Sequence, residues 1–182
     1  MFPLNFDKLV QATAFLLRRE HSRSMNYMRL VKLVYIADRE SLAERGHPIA
    51  GGSTCAMERG PVISELLDLI KGMHIRSPEW SGFFEREGYD LRLKGEPGNA
   101  ALSRRDIGKL EEVACRYAAL DEWDLVDLTH ALPEWQRNDP GKSSKPIPLA
   151  DILQAVNRTE DAAQIQEDAR QQSLMLRLLE AR

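Results

Sequence analysis

The chain has 182 residues, with hydrophobic types at 43% and charged types at 29%, a balance that fits a globular fold large enough to bury a core without disulfide or metal staples. Its formal net charge is −3, which weighs against a protein built mainly to hold nucleic acid, where a basic face is expected. The charge is uneven: residues 1–60 hold nine Lys/Arg against six Asp/Glu, a balance of +3, so residues 61–182 carry −6.

Residues 6–19 place Phe6, Leu9, Val10, Thr13, Leu16 and Leu17 on one face at helical spacing, and Asn5 can accept a free N–H of the first turn. His21–Ser24 reads as a polar loop. Residues 26–45 predict a longer helix with Tyr27, Leu30, Val31, Val34, Ala37 and Leu42 on its apolar side; Gly46 and Pro48 then supply a stop. Ser53–Met57 predicts a short strand and Arg59-Gly60-Pro61 a sharp turn. A third helix is expected over 61–71, with Pro61 in its first turn and Ile63, Leu66, Leu67 and Ile70 facing inward.

From 72 to 102, Gly and Pro are too dense for a helix. Phe83–Glu85 and Tyr89–Leu93 predict two strands around Glu87-Gly88, and Ala100–Leu102 a third. Ser103 and Asp106 have the spacing of a capping box, opening a helix through Ile107, Leu110, Val113, Ala114 and Tyr117. Asp121 caps the next, which carries Trp123, Leu125, Val126 and Leu128 and stops before Pro133. Residues 138–148 read as a solvated loop and 149–156 as a short helix. A last helix is expected over 160–182, polar in its first half and apolar in its second. The expected fold is mainly α: a single domain of about seven helices, with one small antiparallel β element and a C-terminal helix that extends from it.

His21, His47, His74 and His130 are far apart, with no ligand spacing between them, so no metal is expected. No cofactor-binding motif is present: Gly51-Gly52-Ser53 has no lysine after it, as a phosphate loop requires, and reads as a turn. Cys55 and Cys115 read as reduced thiols in apolar surroundings, with Cys115 on the buried side of its helix beside Val113 and Ala114. The first residues show no basic run followed by an apolar one, and no uncharged apolar stretch approaches the ~18 residues of a membrane span. The cytoplasm is the expected location.

Three stretches are informative together. The first is Arg29-Leu30-Val31-Lys32-Leu33-Val34-Tyr35-Ile36-Ala37-Asp38. The second is Gly46-His47-Pro48-Ile49 followed by Met57-Glu58-Arg59-Gly60-Pro61-Val62. The third is Leu125-Val126-Asp127-Leu128-Thr129-His130, with Trp135 beyond it. In this order they resemble the Panacea domain, also called the SocA-like antitoxin domain, over Leu9 to Leu153. Met28-Arg29 replaces the family's opening basic pair, and Glu58-Arg59 stand where the family often has a small residue and an aromatic before Gly-Pro.

The resemblance implies a bacterial or phage antitoxin with a protein toxin as partner, neutralised by blockade or by delivery to a AAA+ protease. Residues 1–157 would form the antitoxin domain and 158–182 a C-terminal helix serving as an interaction segment. Candidate contact residues are Arg18, Arg19, Arg23 and Arg29 of the basic run, Glu58 and Arg59, and the apolar Leu174, Met175, Leu178 and Leu179 of the last helix. The motif residues Leu30, Lys32, Leu33, Tyr35, Asp38, Gly60, Pro61, Val62, His130 and Trp135 read as structural, with His130 and Trp135 as a hydrogen-bonded pair. A DNA-binding autoregulator is the further alternative, resting on the basic run, although nucleic acid is not the favoured partner. Self-association stays open. Catalysis is not expected, and a cleft gathering two or more of Asp38, Glu58, Arg59 and His130 would argue for it.

Overall fold

The structure, a computed structural model, describes residues 1–180, with side chains through Leu179. The last two positions of the helix expected over 160–182 lie outside the described residues.

Helix α1, Phe6–Arg19, starts where the Asn5 side chain accepts the Lys8 N–H. Strand β1, Ser24–Asn26, leads into α2, Tyr27–Arg45, which ends on Gly46 in the left-handed conformation. Helix α2 is the axis of the molecule. It packs against α1, α5, α6 and β3, and every residue from Leu30 to Asp38 is buried, Lys32 and Asp38 included. A helix enclosed on all sides loses the one-sided pattern that sequence reading relies on, and so periodicity gives no sign that its polar members are buried.

Strands β2, Thr54–Met57, and β3, Gly60–Ile63, form a hairpin with Met57 opposite Gly60. The third helix, α3, starts only at Ser64 and ends at Lys71. Pro61 therefore lies in an edge strand rather than in a helical first turn: β3 is the outer strand of the sheet β3-β2-β6, where a residue without an N–H is tolerated. A short helix, α4 at Ser77–Trp80, precedes β4, Phe84–Glu87, and β5, Asp90–Leu93. Tyr89 sits in the turn between them, and Ala100–Leu102 is not a strand. The sheet order β1-β5-β4 is antiparallel, with Met25 and Arg86 both opposite Leu91.

Helices α5, Arg104–Arg116, and α6, Glu122–His130, both open on the capping boxes of Ser103 and Asp121. The short α7, Pro133–Arg137, follows. The stretch expected as a loop contains β6, Ser144–Pro146, which pairs with β2. Helices α8, Leu149–Ala155, and α9, Ala162–Glu180, complete the described residues. The fold is mainly α, with nine helices and two small antiparallel sheets among the described residues, where about seven helices and one β element are expected from sequence.

The larger apolar cluster joins α1, α2, α3, α5 and the sheet of β1, β4 and β5. A second gathers Phe2, Leu42, Ala56, Ile147, Leu153 and Ile165, and so ties the first half of α9 to α8 and the β2 sheet. Cys115 is exposed, not buried: Leu110 and Val113 face inward from α5, and Cys115 falls off that stripe.

Candidate functional site

The three stretches that stand out in the sequence converge on the backbone of the β2–β3 hairpin. Lys32 of α2 donates from Nζ to the Pro61 carbonyl at 2.9 Å. Trp135 of α7 donates its indole N–H to the Met57 carbonyl at 3.0 Å. His130, at the end of α6, places Nε2 at 3.0 Å from the Glu58 carbonyl. A carbonyl only accepts, so the ring carries its proton on that nitrogen. His130 and Trp135 are not hydrogen-bonded to each other; their rings stack at 4.1 Å, and each spends its N–H on a neighbouring carbonyl of the hairpin.

Gly60 closes the turn at φ +92, and a Cβ there would lie 2.6 Å from Thr129 Oγ1 and 2.9 Å from Lys32 Nζ. Glycine is needed for the positive φ and also because α6 and α2 press on this face. The hairpin tip is thus held from three helices. Its two exposed side chains, Glu58 and Arg59, take no part in the holding. The Arg59 guanidinium lies 5.2 Å over the ring of Trp123, and its Nη1 approaches Met28 Sδ at 3.6 Å.

Beneath the tip, between α2 and α3, is a cleft of about 310 Å³. Val31, Val62 and Leu67 form its apolar floor, and Lys32, Glu58, Arg59 and Lys71 its charged groups. Lys32 is 1% exposed. Burial holds its amine down to about 7, against 10.5 for a free lysine. Glu58 and Arg59 share this cleft; Asp38 and His130 do not line it.

The other motif residues brace the scaffold. Leu30 and Leu33 are core. The Tyr35 hydroxyl donates to Glu134 Oε1 at 2.9 Å, and Arg39 holds both oxygens of that fully buried carboxylate. Burial, followed by the Glu134 charge, pushes the Tyr35 hydroxyl well above its ordinary range. Asp38 accepts the N–H groups of Ile49, Ala50 and Gly51 at 3.1, 3.0 and 2.8 Å, which shapes the loop after α2. Burial raises its carboxyl to about 6, although those three bonds pull the other way.

The basic run is largely neutralised within the chain. Arg18 and Arg23 both pair with Glu96, Arg19 with Glu111, and Arg29 with Glu20. Arg29 also donates to the Leu120 carbonyl at 2.9 Å. In the last helix, Leu174, Met175, Leu178 and Leu179 are 49%, 66%, 68% and 67% exposed, a contiguous apolar face well away from the packed Ile165 and Ala169.

The sequence reading misses Trp123 and Lys71 as members of this site. Trp123 is 53% exposed, and a signal for it exists: it lies about 200° around α6 from Leu125, at 3.6 residues per turn. Lys71 has no such signal, since it reaches the cleft only through the packing of α3 beside the hairpin.

The model of the family described as antitoxin SocA-like, Panacea domain, matches residues 30–136, more than half of the chain. The chain belongs to that family. No curated protein and no solved structure matches it. The matched Panacea span is narrower than the Leu9–Leu153 resemblance read from the motifs, yet it contains all three side chains that hold the hairpin. Among the described residues of this Panacea protein, no group of three or more His, Cys, Asp or Glu is placed to hold a metal, and no helix is long and apolar enough to cross a membrane.

Proposed function

We propose that the chain is a cytoplasmic antitoxin that neutralises a cognate protein toxin by direct binding, and that it acts by contact rather than catalysis. The family match over residues 30–136 carries this reading. The geometry supports it in two places. The hairpin tip is pre-shaped by the fold while its side chains are left to solvent, which lowers the ordering cost of an interface. Its surroundings combine Arg, Trp and Met, the residue types that anchor protein interfaces. The apolar end of α9 is the second contact surface, so residues 1–157 serve as the antitoxin domain and 158–182 as its interaction segment. The cleft holds Glu58 and Arg59, the kind of gathering an enzyme would use. Among the described residues, however, neither side chain is hydrogen-bonded to a second polar side chain, so no acid–base pair is oriented there.

Two separate exposed surfaces also favour the adaptor reading, in which one holds the toxin and the other a AAA+ protease. The DNA-binding reading is weakened by the ion pairs that occupy Arg18, Arg19, Arg23 and Arg29. The test is co-expression with the protein encoded by the adjacent gene. Blockade predicts that the neighbour arrests growth alone, is silenced by this chain, and co-purifies at undiminished level. An adaptor predicts a fall in the neighbour's level that reverses when the host AAA+ protease is removed. A harmless neighbour that does not co-purify refutes both.

A further inference from the structure

Most cations of this fold are spent on carboxylates of the same chain. Lys109 sits among Glu40, Glu44 and Glu112, Arg45 and Lys8 share Asp106, and the N-terminal arginines have the partners given above. The cleft under the hairpin is different. Lys32, Arg59 and Lys71 line it against the single carboxylate of Glu58, and none of the three cations makes an ion pair among the described residues. Two of them are exposed at the mouth, and the third is at the floor, out of solvent.

Lys32 has one hydrogen bond, to the Pro61 carbonyl. A charged ammonium has three N–H groups to satisfy, and burying one half-partnered is costly. The free protein meets that cost by letting the amine lose its proton near neutrality. A carboxylate entering the cleft, met by a small turn of the Lys32 ammonium towards it, would supply the missing acceptor and restore the charge. The floor of Val31, Val62 and Leu67 offers apolar surface beside that position.

We propose that this cleft takes an acidic side chain, carried next to an apolar residue on a segment of the partner protein. The carboxylate meets Lys32, with Arg59 and Lys71 at the mouth, and the apolar neighbour lies on Val62 and Leu67. The inference rests on the antitoxin reading for the identity of the partner, but its chemistry is testable without a toxin. A nucleic-acid phosphate fits less well, because Glu58 stands at the rim and the floor is apolar.

The test selects a random peptide library displayed on phage against the immobilised full chain. A parallel selection uses the double variant Arg59→Glu, Lys71→Glu, whose altered side chains are exposed and leave the core intact. The wild-type chain is expected to enrich peptides with Asp or Glu beside Leu, Met or an aromatic residue. The double variant is expected to lose those peptides, and replacing their acidic residue by the amide should weaken binding about ten-fold or more. Calorimetry of an enriched peptide at about pH 8, in two buffers of different ionisation enthalpy, should show uptake of close to one proton. The titratable groups that line the cleft with Lys32 are Tyr27 on α2, Glu58 and Arg59 on the hairpin and Lys71 on α3, so loss of the uptake in Lys32→Met assigns it.

Failure to enrich any peptide, enrichment without acidic residues, or equal capture by the double variant would overturn the proposal. Capture of a labelled single-stranded oligonucleotide by the wild type but not the double variant, at physiological salt, would overturn it in favour of phosphate. None of these results bears on whether the neighbouring gene product is silenced, so the two readings fail separately.

Discussion

Replacing Trp135 by Phe removes the indole N–H held by the Met57 carbonyl at 3.0 Å and trims the bicyclic ring, which packs on the second apolar cluster, to a phenyl. A ring remains that can still stack on His130. Trp135 is half-buried. The cost is at least that of one ordinary hydrogen bond, about 1 kcal/mol, with the trimmed ring adding to it. For a chain of this size that lowers Tm by at least roughly 2–4 °C. The bond holds the hairpin, so the smallest opening that breaks it is that of the tip. Amide exchange at Met57 and Gly60, which face each other across the hairpin, should quicken about five-fold through easier opening of the tip. Amides of buried α2 that exchange only by global unfolding should share the same factor, whereas those of the β4–β5 hairpin, whose opening leaves the bond intact, should not change. His130→Ala should act on the same segment, and the double variant should deviate from additivity by about 0.5 kcal/mol or more, since the two rings stack and hold adjacent carbonyls. Unchanged exchange at the β2–β3 hairpin, or a rise as large in the distant β4–β5 hairpin, would refute the claim that these side chains hold the tip.

Gly60→Ala should destabilise by about 2–4 kcal/mol, measured by urea unfolding, because the left-handed φ persists and the new methyl meets Thr129 and Lys32; a variant within 0.5 kcal/mol of wild type would show that α6 and α2 yield freely there. Lys32→Met should flatten the pH dependence of stability. The folded amine releases its proton near 7 while the unfolded one keeps it to 10.5, so the unfolded state binds more protons in that window and wild-type stability rises with pH by up to about 5 kcal/mol relative to the variant. The contribution is complete above the unfolded value and is lost as the pH falls towards 7, and a wild-type-minus-Met difference that is flat across the window would refute the burial of a charged-state-averse amine. Leu178→Gln with Leu179→Gln should leave Tm within about 2 °C, since both side chains are exposed, and should weaken capture of the toxin about ten-fold or more if α9 is a contact surface; unchanged capture in a pull-down removes α9 from the interface.

The elements readable from sequence are those whose causes are local. Asn5, Ser103 and Asp121 each cap the helix that follows them, and Gly46 stops α2. What escapes is decided by distant partners. Strands β1 and β6 are three residues each, and their pairing with β5 and β2 bridges long stretches of chain. Pro61 looks like a helix start until β2 claims it as a strand partner. The same limit applies to the site. The motif residues are legible as a set, but not that Lys32, His130 and Trp135 all address one loop. Only their hydrogen bonds to Pro61, Glu58 and Met57 reveal that.

Each of those bonds ends on a main-chain oxygen. Residue identity at 58 and 59 is therefore invisible to the groups that hold the tip, and the conformation of the loop is inherited by any pair of residues whose backbone can adopt the turn. With the tip as the proposed contact surface, a gene built this way would trade one partner for another through a few codons there and at Trp123, while the core and its folding stability stay as they were. The same property makes positions 58 and 59 a convenient graft point, where a short recognition sequence can be written into a loop whose shape is already specified from outside.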